Sequence, residues 1–467
     1  MKRFSLILIL ASVALAVIPT QLVAGWWRTY GGAENDVGRC VRQTPDGGYI
    51  VLGHTYSFQG GPMWLLKLDP NGDTVWTRLY NGSAENIYLT SDGGYLIAGG
   101  KNDNLWLLKL KENGDTSWTR TYGKDSLLDY GIAAFETEDG GYMLFGRTES
   151  FATNEWDEDV WMLRTDAKGD TLWTKIYGGE EDDILRCVHP THQKGKGYIM
   201  LVTAYSYMGD QLVKVDTAGE VQSEGEVWVG LHTVYMNDVV NGYLVTCWVH
   251  PSGGEYNISD IYLAKTEFGS LELYEWDVSW GSEYYDLGYY VALTNDFSCV
   301  VTGVWGENGP SEGDLFLAKR DLWDGWGVWQ RIYGGDSSEW GNFVEQTSDE
   351  GYIVVGGTES FGAGGSDIYI LKTDSLGYVG VEEESVADRC VTDWDATPIG
   401  REIMLMYKDR PEGFHAAVFD ESGQKVDELH STLHSGSVMW GEGHSPGVYF
   451  IMPTDGELSK QKVILIR

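Results

Sequence analysis

The sequence predicts an all-β fold, a seven-bladed β-propeller of four-stranded blades followed by a small β-sandwich. Three observations carry it. A unit built from turn and strand signals recurs along most of the chain, no helical 3.6-residue period appears in that unit, and the pattern changes after residue 381.

The unit is clearest at residues 44–80, TPDGGYIVLGHTYSFQGGPMWLLKLDPNGDTVWTRLY. Asp46-Gly47-Gly48 signals a tight turn, because glycine supplies the positive φ that such turns need. Tyr49-Ile50-Val51-Leu52 is a β-rich run that ends in the loop Ser57-Phe58-Gln59-Gly60-Gly61. Residues 63–68 form a second strand, closed by the turn cluster Asp69-Pro70-Asn71-Gly72-Asp73, and residues 76–80 form a third.

An aromatic residue opens the strand after a turn at Tyr49, Tyr95, Tyr142, Tyr198, Tyr243, Phe297 and Tyr352. Units of about fifty residues with four short strands suit a propeller, since one such sheet cannot bury both faces alone and must stack on neighbours around an axis. The outer-strand motif recurs at Trp76, Trp118, Trp173 and Trp329, but the seventh unit stops at Tyr378 without a copy. The missing copy stands at the other end, as Trp26-Trp27-Arg28-Thr29-Tyr30. The N-terminal strand is therefore expected to complete the last blade, which removes an exposed sheet edge.

Residues 1–25 read as a secretory signal peptide: Lys2 and Arg3, an apolar run over 6–18 too short for a convincing span, and the small-residue site Val23-Ala24-Gly25. The propeller is expected over 26–381, an acidic linker over 382–394 and the sandwich over 395–467. The expected address is secreted, at the outer cell surface or in the medium, with no transmembrane segment after signal cleavage. A net charge of −37 from 70 acidic and 33 basic side chains argues against nucleic acid and anionic membranes as partners. The five cysteines show no metal-ligand spacing and read as buried thiols, with a Cys247–Cys299 bridge the least implausible pairing.

Candidate site residues fall into two groups. The first is an acid six or seven residues beyond the aromatic that closes the preceding unit: Asp36, Asp129, Asp183, Asp286 and Glu339, with Asn86 at this place in unit two. A ring of carboxylates on one rim suits Ca²⁺, because hard cations need several convergent oxygens. The competing reading is that each acid accepts backbone N–H bonds and fixes its own loop, and repetition favours it. The second group breaks the repeat: Trp156 in an insertion of unit three, Tyr285 and Trp305 in unit six beside Tyr289-Tyr290, and Trp340 in unit seven. Aromatic faces beside acids suit sugar or peptide ligands. The cation at Lys67, Lys109, Arg164, Lys214, Lys265, Lys319 and Lys372 is copied in all seven units and reads as scaffold. No nucleophile elbow, phosphate loop or dinucleotide fingerprint is present.

The turns Asp69-x-x-Gly72-x-x-x-Trp76 and Asp166-x-x-Gly169-x-x-x-Trp173 resemble the tryptophan-docking turns of quinoprotein-like propellers, with a spacing one residue shorter and Lys111 in place of the acid in unit two. The resemblance implies a tryptophan packed between neighbouring blades. The repeats as a whole resemble uncharacterised exported bacterial propellers. Beyond the linker, short strands at sandwich-like spacing precede the terminus. Phe419-Asp420-x-x-Gly423, Val438-x-Trp440-x-Gly443, Pro446-Gly447-Val448-Tyr449-Phe450 and the final Lys462–Arg467 stretch resemble the Ig-like C-terminal sorting domains of type IX secretion substrates and the related flagellar hook-cap sandwich. That resemblance implies contact with the secretion machinery. The functional expectation is a secreted or cell-surface propeller that binds a carbohydrate or a surface protein. The alternatives are a carbohydrate-active hydrolase or lyase using rim acids, and a structural surface component.

Overall fold

The structure is a computed structural model. It describes residues 25–379 except 125–126, 155–156, 192–196, 205–208, 228–234, 240–241, 250–258, 267–273, 283 and 307–312. In the tail it describes 394–396, 399–400, 403–407, 414–420, 424–432, 436–441, 443–453 and 461–465. Residues 1–24 of the segment 1–25 expected to be a signal peptide, and nearly all of the stretch 382–394 expected to be a linker, lie outside the described residues.

Among the described residues the repeats form seven four-stranded antiparallel sheets, and no helix is present. The first sheet shows the plan: Asp36–Gln43, Tyr49–Thr55, Met63–Leu68 and Thr74–Tyr80 lie side by side in chain order. Burial peaks in the middle of the sheet, and the first strand alternates buried and half-buried positions over its first half. The second and third strands are almost wholly buried, whereas the fourth is mostly exposed or half-buried. This explains why the two middle strands read as continuous apolar runs while the flanking strands do not.

The sheets meet around an axis, which makes the fold a β-propeller. The first strands Asp36–Gln43, Ser83–Leu89, Asp129–Glu136, Asp183–Pro190, Tyr235–Val239, Leu287–Leu293 and Glu339–Gln346 each contact the next in order, and the last contacts the first. The final sheet takes its outer strand from the N-terminus, as expected: Trp26–Tyr30 pairs antiparallel with Asp367–Thr373, Trp27 opposite Leu371.

The junctions between sheets carry the docked tryptophans. The Trp76 ring sits edge-on to Tyr95 of the next sheet at 6.3 Å and covers Gly114 in that sheet's outer turn, where a Cβ would meet the indole at 2.9 Å. Gly114 also holds φ at +81°, so the turn needs glycine for both reasons. Trp26 covers Gly72, Trp118 covers Gly169, Trp173 covers Gly219, Trp276 covers Gly325 and Trp329 covers Gly377 in the same way. Ser223 stands opposite Lys214 where the other outer strands carry this tryptophan.

The repeated cation of the third strand is scaffold. Lys67 Nζ, buried under its sheet, bonds both oxygens of Asp46 in the Asp-Gly-Gly turn (3.1 and 2.9 Å) and the Leu68 carbonyl. Lys109 with Asp92, Lys319 with Asp296 and Lys372 with Asp349 repeat the pair. Cys40, Cys187 and Cys299 are buried free thiols, so no Cys247–Cys299 bridge is formed.

The tail forms a three-stranded and a five-stranded sheet. They share one core, with Ile403, Leu405 and Trp440 from the smaller sheet against Phe414, Val418 and Ile451 from the larger.

Candidate functional site

The first strand of six sheets carries one extra residue, a β-bulge, at the same place. The register slips between Gly38 and Cys40, Ala84 and Asn86, Gly131 and Ala133, Leu185 and Cys187, Gly288 and Tyr290, and Gly341 and Phe343. A bulge bends the strand and re-aims one side chain. The six bulged residues are Arg39, Glu85, Ile132, Arg186, Tyr289 and Asn342, and all six line a single cavity of about 520 Å³ on the axis. The residues around each bulge repeat from sheet to sheet, but the bulged residue differs in chemistry nearly every time.

Three arginines and one glutamate line this cavity among the described residues, which makes it cationic in a chain of net charge −37. Arg39 pairs with Glu85 at 3.4 Å. Arg147, from the second strand of the third sheet, donates to the Leu185 carbonyl (2.9 Å) and reaches Glu158 at 3.5 Å. Burial pulls its guanidinium below the usual value, Glu158 opposes that, and Arg186 adds to it as a like charge close by. Arg186 donates through Nε to Thr203 Oγ1 (2.8 Å) and has no carboxylate partner among the described residues. Trp340, Tyr289 and Tyr88 supply aromatic surface, and Gly357 leaves room for the Trp340 indole.

A second axial cavity of about 510 Å³ lies toward the other end of the first strands and shares Tyr88 and Tyr290 with the first. Arg42 stands at its wall, paired with Glu345 at 2.9 Å and stacked over Phe343 at 4.5 Å. Burial pushes His189 there down to about 3, so it is neutral at physiological pH.

The acids assigned to Ca²⁺ are not brought together. Asp36, Asp129, Asp183, Asp286 and Glu339 are all buried, each at the head of its own sheet. Asp36 Oδ2 accepts from the Gly32 N–H (2.8 Å) and the Ser57 hydroxyl (2.6 Å). Asp129 accepts from the Thr148 hydroxyl and from Ser150, Asp183 from the Gly179 N–H (2.7 Å), and Asp286 from Ser282 and the Gly306 N–H (2.9 Å). Glu339 bridges the Gly335 and Ser360 N–H groups at 2.8 and 3.1 Å. Asp36, Asp286 and Glu339 thus latch their own loop to the neighbouring loop of the same sheet, Asp129 holds the neighbouring loop and Asp183 its own. Burial pushes the Asp183 and Asp286 carboxyls up despite these donors, and Asp159 and Asp260 on the preceding sheets push the same way. Among the described residues no group of three or more His, Cys, Asp or Glu side chains is placed to hold a metal ion. Asn86 is not the counterpart of these acids. Ser83 takes the place of Val37, so Gly82 stands at the acid position and Asn86 falls where Cys40 does.

Of the four candidate aromatics, Trp340 lines the axial cavity. Trp305 lies half-buried against the core opposite Asp314, and Tyr285 bridges to Ser259. Neither lines the cavity, and Trp156 lies outside the described residues. The arginines were missed because the rim acids drew attention to the loops. A usable signal was present: Asp36-x-Gly38, Asp129-x-Gly131, Asp286-x-Gly288 and Glu339-x-Gly341 place a glycine inside a strand, which marks a bulge at the next residue.

The fold and this axial site define a β-propeller. The chain is similar to the Dos1 propeller, 10% identical, with a TM-score of 0.44 over 76% of this chain and 98% of that one. It is also similar to the dihydro-heme d1 dehydrogenase NirN in complex with DHE, 12% identical, with a TM-score of 0.41 over 89% of this chain and 77% of that one. The quinohemoprotein alcohol dehydrogenase from Comamonas testosteroni is 11% identical, with a TM-score of 0.40 over 79% and 78%. No known protein family matches the chain, and no curated protein sequence matches it.

Proposed function

We propose that the chain is a secreted, cell-surface binding protein: a seven-bladed propeller, closed by its N-terminal strand, that holds a ligand at its axis and carries an Ig-like sorting domain at its C-terminus. One observation carries the binding role. The scaffold residues are copied from sheet to sheet, while the bulged residue that faces the axial cavity changes from Arg to Glu, Ile, Arg, Tyr and Asn. Packing alone gives no reason to break symmetry at that position, and binding a ligand without sevenfold symmetry does. The export role rests on the signal-peptide pattern and on the tail motifs.

The rim acids give the hydrolase or lyase reading no support, because they are buried and held by loop donors. The binding role is tested by screening saccharides and surface peptides against residues 26–467 while following tryptophan fluorescence, beside Trp340→Phe. The expected result is a ligand whose signal is reduced in the variant. A hit with the same signal in both proteins places binding elsewhere and overturns the axial site. Export is tested by fusing residues 382–467 to a reporter in a bacterium that has type IX secretion. Delivery of the reporter to the surface or medium is expected, and its retention in the periplasm refutes the sorting role.

A further inference from the structure

We propose that the axial cavity takes an acidic saccharide, an oligosaccharide bearing uronic acid carboxylates, with Arg186 and Arg147 on a carboxylate and Trp340 and Tyr289 on the sugar faces. The inference rests on the binding role above and names the ligand class of that same site.

Charge is the first argument. The surface of a chain at −37 repels polyanions at long range, yet the bulges bring arginines to the axis. Arg39 already has Glu85, and Arg147 shares Glu158, but Arg186 lacks any carboxylate among the described residues. Two neighbouring guanidinium groups repel each other, and a carboxylate between them relieves that repulsion through charge-assisted, bidentate hydrogen bonds.

Shape and lining select a saccharide over a bare anion. A cavity of about 520 Å³ is far larger than one phosphate or sulfate and falls within the range of small-molecule sites, roughly 300–1,000 Å³. Trp340 and Tyr289 offer ring faces to the C–H faces of sugars. Asn86 Oδ1 is held by Cys40 and Arg42 and Asn342 Nδ2 by the Gly38 carbonyl, which leaves the Asn86 amide N–H and the Asn342 amide oxygen as partners for hydroxyl groups. A nucleic acid is disfavoured because its many phosphates meet the acidic exterior before they reach the channel.

The test is isothermal titration of residues 26–467 with trigalacturonate, with a neutral galactose trisaccharide and with inorganic phosphate. Trigalacturonate is expected to bind at least about tenfold more tightly than either control, and to weaken with added NaCl. Arg186→Gln is expected to weaken it by about tenfold or more, with Arg186→Lys intermediate, because lysine keeps the charge and loses the fork. Thermal unfolding of both variants checks that they fold, and if Arg186→Gln does not, Arg186→Lys alone decides. Equal binding of the neutral trisaccharide, lost in Trp340→Phe and unchanged in Arg186→Gln, overturns the acidic ligand and leaves the binding role standing. Phosphate binding as tightly as trigalacturonate overturns the saccharide. No heat from any of the three, with folded protein, overturns the inference, and the binding role is then decided by its own screen.

Discussion

The pair formed by Lys67 and Asp46 shows how one residue position works through several forces. Burial pushes the Asp46 carboxyl up, but hydrogen bonds from Thr44, Lys67 and Gly48 outweigh it and hold the group at about 2. Asp92 is held at about 2 by the same balance with Lys109. An unfolded aspartate titrates near 3.9, so each pair adds stability that is complete above pH ~4 and lost as pH falls through ~2. The carboxylates are more than half exposed, so solvent screens each pair and the gain per pair is small. Repetition in five sheets makes the sum measurable. The urea midpoint of the wild type is expected to drop between pH 4.5 and 2.5, and by visibly less in the double variant Asp46→Asn, Asp92→Asn. An equal drop in both removes these pairs as a source of acid sensitivity. This cation was legible as scaffold from its sevenfold repetition. The role of Arg186 was not, because a position that varies from unit to unit looks like surface variation until the register places it on the axis.

At the level of the strand and turn, much of the fold was legible, since alternation, Asp-Gly-Gly turns and the misplaced copy at Trp26 are all local signals. The bulges were harder to see. A bulge shifts the side-chain alternation by one residue, so a reading by period two assigns every residue beyond it to the wrong face. The loop between Tyr80 and Ser83 is also shorter than its counterpart between Tyr30 and Val37, so counting from the aromatic put Asn86 at an acid position that Gly82 occupies. The five acids stand apart because identical residues at identical places in a ring fall one per sheet, in keeping with the loop-fixing reading that repetition favoured. Two turns of the second sheet give a matched test. Gly114 and Gly93 have nearly the same φ, +81° and +79°, but a Cβ at Gly114 meets Trp76 whereas a Cβ at Gly93 meets nothing within 4 Å. Gly93→Ala is expected to cost about 1 kcal/mol from the backbone alone. Gly114→Ala is expected to cost about 2–3 kcal/mol, because the indole must also shift. Equal costs in urea unfolding mean that the docked tryptophan contributes nothing specific.

For the molecule as a whole, charge and closure dominate. At −37 the folded chain repels itself, and dissolved ions screen that repulsion over about 8–10 Å at physiological ionic strength. The unfolding temperature is therefore expected to rise by several degrees between about 10 and 150 mM NaCl, and a fall over that range shows that attractive ion pairs outweigh the net charge. Closure has a different consequence. The strand that completes the last sheet is Trp26–Tyr30, and its partner is Asp367–Thr373. Trp26–Tyr30 must wait for that partner, rich in aromatic surface, until more than three hundred further residues have been made. Contacts so distant in sequence form late, so the ring cannot close until the strand Asp367–Thr373 has been made. Once the ends are joined, no blade can peel away from a free edge, and losing one requires breaking that same seam first.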